Sequence, residues 1–445
     1  MVRGLAAVDH DAQGKAEVLT SFEVPVDKTK TGDIVRQKLS LLLILFICMP
    51  LFGATPPAPQ TWPGFRGAGD CRTTAQKLPL EWTDQRNVAW RAELPGHGQS
   101  SPVVWKDRIF LTSVEGANKE RLFVSAYDLK KGSRLWMNRY DSTMPMKDAN
   151  TVSKAAPTPV VDEKRLYAFF ESGDLLALDH NGKPLWRRQL TKEYGEFKVG
   201  HGLGSSLAMT DRALILLVAD LGPSYLLAID KQTGRNLWKA DRQAAVSWAT
   251  PLITEYKGKS QIIITANGEV AAYETQTGNL LWFVKGLKGN AIPSPSVSGD
   301  LVVIGSSDKG LNIAIRLGGS GDVTNTHVVW RAQEATANFA SPLIHQGRVY
   351  FVNKVGVAFC LDLQTGEEIW RSRVGGECWA TPLAAGDRIY FFTNEGVTTV
   401  MREGAKPEEI AKNSLSNLER IYGVAAVDGA LLLRSGNKLI KLSEQ

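Results

Sequence analysis

A glycine followed four residues later by a tryptophan recurs down this chain, and no other feature limits its fold as much. The pairs are Gly132/Trp136, Gly182/Trp186, Gly234/Trp238, Gly278/Trp282 and Gly366/Trp370. An acidic residue (Asp128, Asp179, Asp230, Glu274, Asp362) stands seven or eight positions before each tryptophan. Trp90 and Trp330 end similar runs without the full turn signature. From Trp90 onward the intervals between these tryptophans are 46, 50, 52, 44, 48 and 40 residues. A period in that range marks the blades of a propeller or the turns of a solenoid.

The stretch 340–370 shows what one unit contains. Ser341-Pro342-Leu343-Ile344-His345 opens it, a Gln346-Gly347 turn follows, and Val349-Tyr350-Phe351-Val352 is a second apolar run. Val357-Ala358-Phe359-Cys360-Leu361 is a third, Asp362-Leu363-Gln364-Thr365-Gly366 breaks the chain, and Glu367-Glu368-Ile369-Trp370 is a fourth. Short β-rich runs bounded by Gly, Asn and Asp turns read as strands joined by hairpins. Four in one unit make an antiparallel blade. The turn glycine supplies positive φ without a Cβ clash, and the preceding Asp can accept backbone N–H groups in the turn. The closing tryptophan brings about 150–250 Å² of burial. Trp90, Trp136, Trp186, Trp238, Trp282, Trp330 and Trp370 are therefore expected to wedge between neighbouring blades, each at a cost of roughly 3–5 kcal/mol if removed.

Strand openers give an independent count. Ser101-Pro102, Thr158-Pro159, Ser205-Ser206, Thr250-Pro251, Ser294-Pro295, Ser341-Pro342, Thr381-Pro382 and Gly423-Val424 make eight. The last unit has three strand-like runs and no closing tryptophan, whereas Asn87-Val88-Ala89-Trp90-Arg91 has no blade of its own. The N-terminal strand is expected to complete the C-terminal blade and remove the open edges. The fold class predicted is all-β, an eight-bladed propeller of four-stranded antiparallel blades over 87–445. Seven blades is the alternative, because the seventh unit places Ile410 where a tryptophan would fall. Polar insertions at 142–154 and 318–324 are either tolerated surface loops or parts of a binding face.

Residues 36–54 read as an export signal. Arg36 and Lys38 flank an apolar run from Leu39 to Leu51, and Phe52-Gly53-Ala54 offers small residues for cleavage. The run is short for a membrane span, so the mature chain is expected to carry no transmembrane segment and to reside in the periplasm or envelope. Residues 1–35 read as an extension ahead of a true start near Val35, and 55–86 as a linker or cap. A net charge of +6 with Lys and Arg scattered gives no basic tract for nucleic acid. Three cysteines, Cys71, Cys360 and Cys378, remain beyond the signal. An odd number leaves at least one unpaired, and buried thiols are expected for Cys360 and Cys378, with a bridge between them as the alternative.

The opener, the D-x-x-T-G turn and the closing L/I-W resemble the PQQ-like β-propeller repeat family. Asp230-Lys231-Gln232-Thr233-Gly234-Arg235-Asn236-Leu237-Trp238 carries the resemblance most fully, and it extends from Trp62-Pro63-Gly64-Phe65-Arg66-Gly67 to Leu442. The resemblance implies one of two branches. Quinoprotein dehydrogenases hold pyrroloquinoline quinone and calcium at the centre of the ring, and the outer-membrane assembly lipoprotein BamB is a scaffold without catalysis. The adjacent cysteine pair of the first and the lipidated cysteine of the second have no counterpart here: no two cysteines are neighbours, and Leu45-Phe46-Ile47 before Cys48 lacks the small residues of a lipidation site. No cofactor is expected, with pyrroloquinoline quinone and Ca²⁺ as the alternative.

Candidate ligand residues cluster before the openers, where innermost strands line a central funnel. Gly96-His97-Gly98-Gln99-Ser100-Ser101 and Gly200-His201-Gly202-Leu203-Gly204-Ser205-Ser206 place His97, Ser100, Ser101, His201, Ser205 and Ser206 there. The competing explanation is histidines packed under turns. Trp248 and Trp379 each stand two residues ahead of an opening threonine, as stacking platforms or as packing between inner strands. No catalytic constellation is found: no paired carboxylates, G-x-S-x-G, Walker loop or dinucleotide fingerprint in context. The function expected is a monomeric, non-catalytic envelope scaffold for a protein, peptide or glycan. A quinoprotein oxidoreductase and a carbohydrate-active enzyme are the alternatives.

Overall fold

Each repeat unit becomes one antiparallel sheet, and eight such sheets form the ring. The computed structural model describes residues 61–73, 77–148, 153–198, 200–288 and 291–444. The extension, the export signal, Cys48 and 55–60 of the linker lie outside the described residues. Blades 1 to 7 begin at Val103, Val160, Ala208, Leu252, Ser296, Leu343 and Leu383. Blade 8 takes Gly423–Val427, Ala430–Ser435 and Lys438–Ser443 from the C-terminal end and Val88–Glu93 from the N-terminal region. The closing pair is antiparallel, running from Val88 opposite Leu442 to Glu93 opposite Lys438. The eighth blade is thus built from both ends of the propeller, as the missing fourth run implied.

The glycine–tryptophan pair works between blades. The Trp136 indole N–H donates to His180 O at 2.9 Å, Trp186 to Lys231 O at 3.1 Å, Trp238 to Thr275 O at 3.0 Å and Trp330 to Leu363 O at 2.9 Å, each acceptor lying in the next blade's turn. The same indole lies on that turn's glycine. A Cβ on Gly132 would sit 2.5 Å from Trp90, and one on Gly366 would sit 2.5 Å from Trp330. These glycines also have φ near +70°, so two independent constraints exclude a side chain. The turn aspartate acts as expected: Asp362 Oδ1 accepts the N–H groups of Gln364 and Thr365, both at 2.8 Å. Within their own blades Trp136, Trp186, Trp238, Trp282, Trp330 and Trp370 face the small residues Ala126, Ala177, Ala228, Ala272, Ala314 and Cys360, each beside a register shift, whereas Trp90 lies opposite Lys441.

Blade 4 departs from this rule. The Trp282 N–H donates to Gln261 Oε1 in its own blade at 3.1 Å. The fifth unit has no tight turn to receive it, because the 318–324 insertion runs back along blade 4, with Gly321–Asp322 pairing parallel to Trp282 and Phe283. That insertion covers an outer edge strand, a protective arrangement.

Residues 61–73 cross the axis of the ring. Trp62 pairs opposite Val104 of blade 1, Pro63 O accepts the Val161 N–H of blade 2, and Arg72 pairs beside Ala384 of blade 7. Between them the buried Arg66 donates to Ser296 Oγ at 2.7 Å and Pro295 O at 2.6 Å in blade 5, across the ring from blade 1. All these partners lie on innermost strands beyond their opening residues, so the segment plugs the end toward which those strands run. It then passes along blade 7, where Asn413 Oδ1 accepts the Trp82 N–H at 2.8 Å and Asn413 Nδ2 donates to Leu80 O at 3.0 Å.

The irregular seventh blade is completed by this segment. Blade register puts Ala411, one residue beyond the Ile410 named from sequence, opposite Val400 on the tryptophan rung. Tyr390 on that rung stacks instead on Trp82, with ring centres 6.5 Å apart and planes 13° apart. The corresponding contacts in blades 6 and 2 are Tyr350 with Trp370 at 5.9 Å and Tyr167 with Trp186 at 6.0 Å. An indole from some 330 residues upstream therefore stands in for the one blade 7 lacks.

Cys71, Cys360 and Cys378 are free and buried. Burial pushes each thiol up to about 12, so the reactive thiolate is suppressed at pH 8. The folded protein is expected to show no dithionitrobenzoate reaction at these three thiols at pH 8, and all three are expected to react once guanidinium unfolds the ring. Rapid reaction of Cys71, Cys360 or Cys378 in the native protein, located by peptide mapping, would contradict their placement.

Candidate functional site

The opening Ser/Thr residues form a belt around the channel. The Ser101 N–H donates to Thr158 Oγ1 at 2.9 Å, Thr158 N–H to Ser206 Oγ at 2.9 Å, and Ser206 N–H to Thr250 Oγ1 at 3.0 Å. Thr250 N–H continues to Ser294 Oγ at 2.9 Å, Ser294 to Ser341 Oγ at 3.0 Å and Ser341 to Thr381 Oγ1 at 3.2 Å. Each N–H needs a partner because it is buried away from water. The eighth opener is Gly423, where a Cβ would lie 2.4 Å from Ser101 Cα. The ring thus closes by backbone contact where a hydroxyl would not fit.

Above this belt opens a cavity of about 490 Å³ whose floor includes Phe65 of the plug. The residue two positions before each opener supplies its wall: Gln99, Ala156, Gly204, Trp248, Ile292, Phe339 and Trp379. In the eighth unit Tyr422 takes this role, immediately before Gly423. The wall is lopsided. Blades 2 and 3 contribute Ala156 and Gly204, and blades 4, 6 and 7 contribute aromatics. The small Ala156 and Gly204 leave blades 2 and 3 without bulky wall side chains at this position, and Ser153 and His201 also line the cavity.

Trp379 is held on both faces. Phe339 stacks on it at 4.2 Å and 21°, and Arg420 Cζ lies 4.1 Å from its ring centre. Two groups that close to one ring centre cannot share a face, so Trp379 offers a ligand only its edge. Tyr422 meets it edge-on at 6.2 Å. Arg420 Nη2 is paired with Glu377 Oε2 at 2.5 Å. Burial pushes the Glu377 carboxyl up, but Trp379 and Arg420 outweigh this and hold it below the usual carboxylate range. The Trp379 indole N–H approaches that carboxylate without reaching hydrogen-bond geometry. Trp248, by contrast, is fixed by its N–H donating to Gly202 O at 2.8 Å, beside His201 with ring centres 6.3 Å apart.

Of the eight residues proposed from sequence, His201, Ser206, Trp248 and Trp379 line the funnel. His97, Ser100, Ser101 and Ser205 are not among its lining residues. His97 lies in a second, charged cavity and its Nε2 meets Glu419 Oε2 at 3.0 Å. Ser100 is buried and its Oγ accepts from Arg434 Nη1 at 2.6 Å and from Thr112 Oγ1 at 3.0 Å. Ser101 is a belt member, and Ser205 is buried with no partner for its hydroxyl among the described residues. The glycines around His97 answer to crowding. A Cβ at Gly98 would lie 2.1 Å from Arg434 Nη2, and one at Gly96 would lie 2.3 Å from Val114 O. Arg434 itself is fully buried and bonded to Ser100, Ser113 and Gly436, with no carboxylate partner among the described residues. Burial pushes its guanidinium down to about 9, against the pull of Tyr127.

Sequence reasoning missed Arg420, Tyr422, Phe339, Gln99 and Phe65. The signal for two of them was present: Phe339 and Gln99 share the position, two before an opener, already noted for Trp248 and Trp379.

The lining does not fit a calcium–quinone pair. Calcium takes about 6–8 oxygen ligands, usually with several carboxylates, and among the described residues no Asp or Glu lines the funnel. Among the described residues no three His, Cys, Asp or Glu side chains converge as a metal set. The two closely placed acids of a glycosidase are likewise not among the lining residues.

A family model described as Outer membrane protein assembly factor BamB matches residues 81–200 and 320–406. The Outer membrane protein assembly factor BamB of Shewanella oneidensis is 21% identical over 277 residues, covering 60% of this chain and 62% of that protein's length. Among solved structures, BamB from Moraxella catarrhalis aligns with a TM-score of 0.60 at 15% identity, over 80% of this chain and 99% of its own. A europium-containing methanol dehydrogenase aligns equally well, with a TM-score of 0.60 at 12% identity, over 85% of this chain and 89% of its own. A BamB protein and a methanol dehydrogenase therefore align with this ring at the same TM-score. At such identities the likeness establishes the fold, and the site has to be judged on its own residues.

Proposed function

Because the chain belongs to the PQQ-like β-propeller repeat family, whose ring serves scaffolds and quinoproteins alike, we propose that it is a non-catalytic binding scaffold of the cell envelope. Its funnel and the surrounding loops receive a protein, peptide or glycan partner. One observation carries this reading: the funnel is floored by the protein's own N-terminal segment and walled by aromatics, with no carboxylate among the described lining residues to serve as metal ligand or acid catalyst. The relative's description as an outer membrane protein assembly factor supports a protein partner in the envelope. The apolar run 39–51 supports export. No helix among the described residues is long and apolar enough to cross a membrane.

The test fills the funnel. Ala156→Trp places an indole at a position where blades 4 and 7 already carry one, so the backbone accepts it. Partner capture from envelope extract is expected with the parent protein and is expected to be lost with Ala156→Trp, at unchanged melting temperature. Capture indifferent to the substitution would remove the funnel from the reading. A bound chromophore and dye-linked alcohol oxidation after mixing with pyrroloquinoline quinone and Ca²⁺ would replace the scaffold with an enzyme.

A further inference from the structure

We propose that the funnel selects an anion: a carboxylate carried on an apolar or aromatic body. This deepens the scaffold reading and rests on it. Among the described residues lining the cavity, Arg420 is the only Asp, Glu, Lys or Arg. Its Nη2 is committed to Glu377, which stands outside the lining, and its Nε is buried without an acceptor among the described residues. A guanidinium has five N–H donors, so this pairing leaves donors for a ligand.

The belt adds to the same polarity. Thr158, Ser206, Thr250 and Ser294 line the cavity, and each hydroxyl oxygen already accepts a backbone N–H from the preceding blade. Among the described residues none of the four donates its own hydrogen to an acceptor, which leaves four O–H donors at the base of the funnel. Four O–H donors beside a guanidinium with N–H groups to spare, and no carboxylate among the described lining residues, favour an acceptor-rich, negatively charged group. The walls supply the other half of the specificity. Phe65, Trp248, Ile292 and Phe339 are apolar surface within the same cavity, whose volume falls in the range of about 300–1,000 Å³ typical of small-ligand pockets. A bare inorganic anion would leave those walls wet. A carboxylate on a hydrophobic body would satisfy both.

Such a carboxylate has two sources, the free end of a peptide chain or a small aromatic acid. Calorimetry on the full-length protein separates them with four probes: 3-phenylpropionate, 3-phenylpropanamide, the tripeptide Ala-Ala-Leu with a free C-terminus, and the same peptide amidated. At least one acid is expected to bind about tenfold or more tightly than its amide, the worth of a charge-assisted contact. Binding of the peptide acid alone assigns the site to chain ends, and binding of phenylpropionate assigns it to free aromatic acids. Arg420→Gln alone strands the Glu377 carboxylate, so the informative variant is Arg420→Gln with Glu377→Gln, which keeps a neutral pair. It is expected to lose about tenfold for the acid and nothing for the amide. Acids and amides binding alike, or a double variant that binds the acid as the parent does, would overturn the anion inference and leave the funnel as a binding site. No binding by either acid at millimolar concentration would also overturn it, while partner capture blocked by Ala156→Trp would still stand. Acid binding that persists in Ala156→Trp would place the anion outside the funnel and overturn the inference, and partner capture that also persists would remove the funnel from the scaffold reading.

Discussion

A chain truncated to begin at Leu94 is expected to have no cooperative native state at 25 °C. Three things leave with residues before it. The strand Val88–Glu93 exposes the edge of Lys438–Ser443 when it goes, and an open sheet edge invites association. Trp90 is lost from the blade 8–blade 1 junction, where its indole N–H donates to Leu129 O at 3.2 Å. Trp82 and the plug are lost from blade 7 and the channel floor. Two large aromatics at about 3–5 kcal/mol each already match much of the roughly 5–15 kcal/mol that holds a typical native protein together. Near-UV circular dichroism and thermal scans check this. A truncated form that melts cooperatively within a few degrees of the parent would refute closure of the ring by its two ends.

Trp82→Ala is expected to lower stability by about 3–5 kcal/mol, read as a shift in urea midpoint at unchanged m-value. The cost is that of a blade-docking tryptophan, because Trp82 occupies that role on the rung of Tyr390, Val400 and Ala411. This makes a sharper second expectation. Ala411→Trp in the parent should destabilise by about 1–3 kcal/mol, since two indoles would compete for one space. The same substitution in the Trp82→Ala protein should instead recover stability. Opposite signs in the two backgrounds are the mark of a shared site. If Ala411→Trp has the same effect in both, Trp82 is an ordinary buried residue of the cap and the substitution idea is wrong.

How far the site was legible varies by residue. Trp248 and Trp379 announced themselves because a repeat makes equivalent positions visible, and Phe339 and Gln99 sit at that same offset. His97 misled because its flanking glycines look like a ligand loop. Gly98 is small because Arg434, 336 residues further on, needs the room, and Gly96 because Val114 O lies against it. Arg420 gave no signal of its own. Its meaning depends on Trp379 beneath it and Glu377 beside it, 41 and 43 positions away. Trp379 reads from sequence as either a stacking platform or packing between inner strands, and only the stacked Phe339 and Arg420 show that both of its faces are taken.

The amino-acid sequence alone determined the blade, the number of blades and the closure of the ring. Those follow from local chemistry repeated at a fixed period: glycine where φ is positive, aspartate where a turn needs an acceptor, tryptophan where one sheet meets the next. Tertiary structure decided what fills the middle. The plug, the borrowed Trp82 and the donor-lined funnel join residues from opposite sides of a closed circle. No local pattern encodes such neighbours, because the ring brings them together only once its ends have met.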